Sequence, residues 1–243
     1  MEHEHTEEAI RERLAAGPQT SYLRDWIYGG IDGLVTTFAV VTGVVGADLS
    51  ATIILILGFA NLIADGFSMA ASNFLGTRTE RQEIDALHAQ ESRHIATDPE
   101  GEREEVRQIF AAKGFSGDDL ERAVGVVTSE RERWIQFMLT EEYGLPQQVR
   151  SAWRAAGATM SAFVVCGLVP LLGFTIPNPN PIAASVVMTL IAFFIVGSMR
   201  SRWLAISWWR AGAETLGVGA VAAAIAYGLG ILLARLVGGG PGL

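Results

Sequence analysis

ATIILILGFANLIADGFSMAASNFL, residues 51–75, carries a single charge, Asp65, in 25 positions. A helix needs about 20 apolar residues, at about 1.5 Å each, to cross a hydrocarbon core of roughly 30 Å. The stretch therefore reads as a transmembrane helix, and the residues after it decide the rest of the fold. Residues 77–96 are polar but contain no helix breaker before Asp98-Pro99, so the helix is expected to run on past the membrane. Four more blocks approach spanning length: 27–47, 154–174, 182–200 and 212–236. The expected fold is an all-α integral membrane protein of five transmembrane helices, with a small helical cytoplasmic metal-binding domain between helices 2 and 3.

Half of the 243 residues are apolar, which is high for a soluble domain of this length. Residues 1–25 are charged and lack an apolar centre, so no cleavable signal peptide is expected. The one cysteine, Cys166, falls inside the third apolar block and reads as a packing residue. Much of the net charge of −8 comes from residues 76–150, which hold 16 Asp and Glu against 10 Lys and Arg. That balance disfavours nucleic acid and suits cations.

Basic residues set the expected orientation. With a cytoplasmic N-terminus, the short outer turns 48–50 and 175–181 contain no Lys or Arg. Arg24, Arg78, Arg81, Arg150, Arg154, Arg200, Arg202 and Arg210 crowd the inner ends, and Arg235 alone breaks the positive-inside rule. Trp26, Tyr28, Trp153, Trp203, Trp208 and Trp209 mark the same boundary as an aromatic belt. The expected organisation is a cytoplasmic tail and amphipathic entry at 1–26, spans one and two at 27–75, the cytoplasmic domain at 76–150, and spans three to five at 151–243. The membrane would be the plasma membrane in a bacterium and the vacuolar membrane in a eukaryote.

Polar residues inside spans need a reason, because an ionised side chain at mid-membrane costs about 2.5–3.5 kcal/mol even on lenient scales. Asp32 and Asp65 both lie too deep to belong to loops. Asp32 sits about six residues into span one and Met69 about six before the inner end of antiparallel span two, so both are roughly 9 Å deep. Asn61, Asp65, Met69 and Asn73 recur every four residues as a polar stripe, and Thr36 and Thr37 give span one a weaker matching face. Together they are expected to line a hydrophilic path in which Asp65 handles protons or bonds between helices rather than holding metal. A carboxylate with a thioether leans toward a first-row metal such as Fe²⁺ rather than Ca²⁺ or Mg²⁺. Helix packing is the competing reading for Met69, and a structural hydrogen bond is the one for Asp32.

In the middle section Glu91-x-x-His94, Glu102-x-x-Glu105 and Met138-x-x-x-Glu142 place ligand-type side chains one helical turn apart. Pro99, followed by Glu100, Glu102, Glu104 and Glu105, starts a helix. Gly114 and Ser116-x-x-Asp119 separate it from helices at about 117–129 and 130–143. The competing reading is a solvated helix face whose glutamates pair with Arg103, Arg107, Arg131 and Arg133. His3 and His5 read as part of a frayed tail. Gly217, Gly219, Ala220, Ala224 and Gly228 form a small-residue face on the last span, and Glu214 has Arg210 one turn before it.

Residues 28–44, YGGIDGLVTTFAVVTGV, resemble the first helix of the vacuolar iron transporter family, and Ala64-Asp-Gly-Phe-Ser-Met-Ala resembles its second. The similarity continues through Lys113-Gly-Phe-Ser and Glu141-Glu-Tyr-Gly-Leu to the Gly-rich last helix, over about residues 22–236. The resemblance implies a five-helix homodimer with a pore between subunits that exports cytosolic Fe²⁺ in exchange for protons. It implies pore metal ligands at Asp32 and Met69, and a cytoplasmic cluster at Glu91, Glu102, Glu105, Met138 and Glu142. His94 stands where the family pattern has a second glutamate, and Leu139 where a second methionine is common. Imidazole still suits Fe²⁺, Zn²⁺ or Co²⁺, and Mn²⁺ is a further candidate cargo.

No prosthetic group is expected, and no Gly-x-x-x-x-Gly-Lys-Ser/Thr loop for ATP coupling occurs. The expected class is a transporter rather than an enzyme, with protons, divalent metals, the bilayer and a second copy of the chain as partners. A membrane-anchored metal sensor or store is the alternative. A di-iron enzyme needs Glu-x-x-His on two helices, and only Glu91-x-x-His94 is present.

Overall fold

A computed structural model of the chain describes residues 5–17, 20–146, 150–202 and 205–238. Among these residues the regular structure is helical, with no strand. The helices are α1 Glu7–Ala16, α2 Leu23–Gly46, α3 Ala51–Thr97, α4 Pro99–Ala112, α5 Gly117–Thr128, α6 Arg131–Glu141, α7 Ala152–Gly167, α8 Val169–Thr175, α9 Pro181–Met199 and α10 Trp208–Gly238. They divide into two compact units: one gathers the residues up to Thr20 with Gly76–Ser151, the other Ser21–Leu75 with the residues from Ala152 on.

The second unit holds the long apolar segments. By length and composition, five helices of the described chain are able to cross a membrane: Leu23–Gly46, Ala51–Thr97, Ala152–Thr175, Pro181–Arg202 and Trp208–Val237. The third is expected from sequence as one piece, 154–174, but the structure divides it into α7 and α8 at Leu168. Pro170, in the first turn of α8, lacks an N–H and cannot continue the ladder of α7.

Within this unit α2 packs against α7, α10 and α9. Gly29 and Gly33, one turn apart, make the α2–α7 approach possible, because a Cβ at either would run into the backbone of Thr159 or Phe163. Leu34, Phe38, Cys166, Phe193 and Val196 close one apolar cluster, and Val41, Val44, Ile54 and Leu171 another. Ile56, Phe67, Ile191, Ile225 and Leu236 face outward, as suits a surface solvated by lipid. The small face expected on the last span works only in part. Gly219 lies against Phe193, but Gly217 and Gly228 meet open space, and the tight approach to Gly43 is made by Gly230.

The other unit contains α4, α5, α6 and the polar half of α3. Asp98 caps α4, its carboxylate accepting the Gly101 N–H at 3.1 Å, and Pro99 follows in the first turn. Gly114, at φ 94°, takes the left-handed turn that follows α4. Ser116 precedes α5 as expected but makes no side-chain cap bond. Val106, Val124, Val127, Trp134 and Met138 form the core. Residues 7–16, within the expected tail and amphipathic entry, form a helix capped by the Thr6 hydroxyl, with Glu7 and Glu8 in its favoured first turn. His5 is exposed, whereas His3 and Trp203 lie outside the described residues.

Candidate metal centre

Glu91 and His94 lie one turn apart on α3, and the Asp98-Pro99 break lets α4 return Glu102 to them. One ligand atom from each of the three lies within 4.8 Å of the other two. His94 Nδ1 stands 3.3 Å from Glu102 Oε1 and 3.7 Å from Glu91 Oε1. Tyr143 donates its hydroxyl to Glu91 Oε1 at 2.9 Å. Glu91 is 1% exposed and Glu102 7%, yet Oε2 of each is buried without a hydrogen-bond partner. Buried carboxylate oxygens almost always have partners, so two orphans on neighbouring carboxylates leave capacity for a cation.

The electrostatics have the same sense. Burial, and then the charges of Glu91, Glu105 and Glu142, push the Glu102 carboxyl up to about 7. Burial, then Glu105 and Glu91, raise Glu142 as well, with His94 opposing. Burial, with the bond to Glu91, holds the proton on Tyr143. The arginines do not relieve this. Arg107 pairs with Glu104 and Glu121, Arg133 with Glu130, Arg131 with Ser92, and Arg103 with Thr128. Among the described residues no Lys or Arg pairs with Glu91, Glu102, Glu105 or Glu142. The solvated-face reading thus fits Glu104, Glu121 and Glu130 but not the buried Glu91 and Glu102.

The remaining expected ligands are placed differently. Glu105 and Glu142 are exposed, contributing charge to the cluster rather than a convergent atom. Met138 is fully buried among Val106, Val124, Val127 and Trp134 as a member of the core.

In the membrane-length unit, Asp32, Asp65 and Met69 are partly buried, and Asp65 is close enough for its charge to act on Asp32. No three His, Cys, Asp or Glu ligands converge there among the described residues. Thr36 donates to its own helix at the Asp32 carbonyl, 2.9 Å. The Asn61 amide nitrogen and the Thr37 hydroxyl are buried without partners. Asn73, expected to line a path, instead donates to Asp25 at 2.9 Å and Thr159 at 2.7 Å, tying α2, α3 and α7 together. Four-residue spacing puts Asn73 on the stripe, but it does not say which neighbour that end of the stripe meets.

The match to the model of the VIT family runs over residues 23–231. The chain belongs to the VIT family, that of the vacuolar iron transporters. It is 32% identical to vacuolar iron transporter 1 of Arabidopsis thaliana over 208 residues, 84% of this chain and 83% of that one. It is 31% identical to vacuolar iron transporter 2 of Oryza sativa over 229 residues, 93% and 90% of the two chains. With the vacuolar iron transporter of Toxoplasma gondii it shares 30% over 236 residues, 90% of this chain and 76% of the other. Membership and the long apolar helices together make this VIT-family chain a membrane protein.

Sequence reasoning passed over three residues of this VIT-family chain. Tyr143 stands beside Glu142, in a stretch read for its glutamate, and its aromatic ring hid a hydrogen-bond donor. Asp25, 6% exposed, falls within the segment expected to be a cytoplasmic tail. Thr159, 2% exposed, carried no signal beyond being a polar residue in an apolar block.

Proposed function

We propose that the protein is a secondary transporter that moves Fe²⁺ out of the cytosol in exchange for protons. Its relatives' names support iron, and Mn²⁺, Zn²⁺ and Co²⁺ suit the same donors. In this reading five helices span the membrane, the N-terminus and residues 76–150 are cytoplasmic, and the working unit is a homodimer. The observation that carries the proposal is the convergence of Glu91, His94 and Glu102, with one buried oxygen of each glutamate left without a partner. Two carboxylates and an imidazole suit divalent first-row metals. Tyr143 fixes the rotamer of Glu91 as an outer partner, the kind of support that tunes metal sites. Glu105 and Glu142 add the negative field that draws a cation to the cluster, and Met138 packs in the apolar core of the same unit. Asp32, Met69 and Asp65 serve translocation, with Thr36, Asn61 and Asn73 on the adjoining polar faces.

Protons and metal compete for the same carboxylates, so an acidic far side favours release there and recovery of an empty site. Reconstituted vesicles holding the full chain test this. Fe²⁺ uptake is expected when the lumen is acid, and it should be lost in Asp32→Ala. Uptake that ignores the proton gradient removes the exchange mechanism, and uptake that survives both Asp32→Ala and Met69→Ala removes the pore residues. Metal binding without any flux would mark a sensor or store.

A further inference from the structure

A cavity of about 790 Å³ opens between the start of α2, the end of α9 and the start of α10, and none of the residues assigned above to metal or protons lines it. Its volume falls in the range of roughly 300–1,000 Å³ that takes small molecules. One end is basic: Arg24 and Arg200 line it, with Glu214 as the opposing carboxylate. The other wall is apolar and includes Ile27, Ile31 and Val218. The Arg24 guanidinium is exposed and lies 5.4 Å from the centre of the Tyr28 ring, which holds it at the rim. Arg200 is held by two long contacts, 3.5 Å to the Thr215 hydroxyl and 3.7 Å to Glu214 Oε2. Both are made by Nη1, so Nη2 and Nε of the planar fork are left to meet an oxyanion. Arg210, one turn before Glu214, lies over the Trp209 ring at 5.1 Å.

The geometry points to a binding site for one anionic phospholipid, its phosphate between Arg24 and Arg200 and an acyl chain along Ile27, Ile31 and Val218. Two features select a lipid over a soluble anion. The cavity is mostly apolar and its wall is the flank of two membrane-length helices, so a hydrated ion would leave that wall uncovered. Exposed Trp208 and Trp209 on α10 and Tyr28 on α2 mark the level at which headgroups sit. Two arginines against one glutamate leave the site net positive, which favours an anionic headgroup over a zwitterionic one. The inference does not rest on the transport reading, because no metal or proton residue lines the cavity.

Native mass spectrometry of the purified full chain, titrated with phosphatidylglycerol or phosphatidylcholine, tests the site. The wild-type chain should retain phosphatidylglycerol about tenfold more tightly than phosphatidylcholine. Arg24→Gln with Arg200→Gln should erase that preference, while Arg24→Lys with Arg200→Lys keeps most of it. Val218→Trp, which fills the apolar wall and leaves both arginines, should weaken retention of both lipids. Inorganic phosphate in millimolar excess should neither displace the lipid nor raise the melting temperature. Equal retention in wild type and the Gln pair overturns the proposal, as does phosphate that stabilises as well as lipid. It is also overturned if the Gln pair or Val218→Trp turns a dimer into a monomer without changing lipid retention, since the face is then a contact between copies.

Discussion

Both units bury carboxylates, and they treat them in opposite ways. Asp25, in the membrane-length unit, accepts the Asn73 amide, and the same Asn73 bonds Thr159 of a third helix. Glu91 and Glu102, in the other unit, are as well buried, but each keeps one oxygen without a donor while further glutamates crowd them. The first arrangement is a finished structural joint. The second is the arrangement the proposed metal site would use, because two buried oxygens without donors leave room for a cation as a partner. Burial alone does not tell a ligand from a joint; what the second oxygen meets does.

The contrast breaks most sharply by removing both glutamates. Glu91→Ala with Glu102→Ala should lower Mn²⁺ or Co²⁺ affinity about 100-fold or more in calorimetric titration of the full chain, since it removes two of three convergent ligands. An unaltered titration would return the cluster to an ordinary helix surface. Asn73→Ala should do the reverse. It should cost about 1–3 kcal/mol of stability by stripping Asp25 of a donor in a buried place, seen as a lower melting temperature, and leave metal titration unchanged. A metal defect in Asn73→Ala would mean that the joint belongs to the metal path after all.

Acidity should separate the two states of the cluster with a smaller effect. Glu102 is raised from 4.5 to about 7 by burial and by Glu91, Glu105 and Glu142, while His94 and the Tyr143 hydroxyl face the same space. The folded, metal-free protein therefore favours the protonated acid. That contribution to stability is complete below about pH 4.5 and is lost as pH rises through about 7. Metal needs the carboxylate, so affinity should instead rise between pH 6 and 8, by up to about tenfold per displaced proton and pH unit below 7. Melting and titration at each pH check both slopes, and Glu102→Gln should flatten them; parallel slopes would contradict a shared site. Met138→Leu should show the smallest change, under about 1.5 kcal/mol in stability and none in metal affinity, because the thioether sits in the apolar core. A tenfold loss of affinity in that variant would make Met138 a ligand.

Much of this was legible in the chain because its strongest patterns are local. The apolar run from Ala51 and the unbroken polar run to Thr97 specify one long helix, and Asp98-Pro99 ends it. Glu91-x-x-His94 is likewise local, since one helical turn brings the pair together. Legibility fell off wherever a residue depends on a neighbour from another helix. Asn73 and Met138 have the spacing of a pore and of a ligand, yet one meets Asp25 and Thr159 and the other a ring of valines. The third span reads as unbroken in hydropathy although Pro170 announces the break at Leu168, because hydropathy is blind to a missing N–H.

By itself the sequence determined which segments are apolar enough for a membrane, where helices start and stop, and which residue types are able to bind a metal. Periodicity and capping act over one or two turns and need no distant partner. Only the tertiary structure decided that Glu102 returns to Glu91 and His94, that their second oxygens are left without donors, and that Arg107, Arg131 and Arg133 are engaged elsewhere. Those outcomes depend on which helix faces pack together, and a carboxylate's role is set by the donors that packing brings within about 3 Å of it.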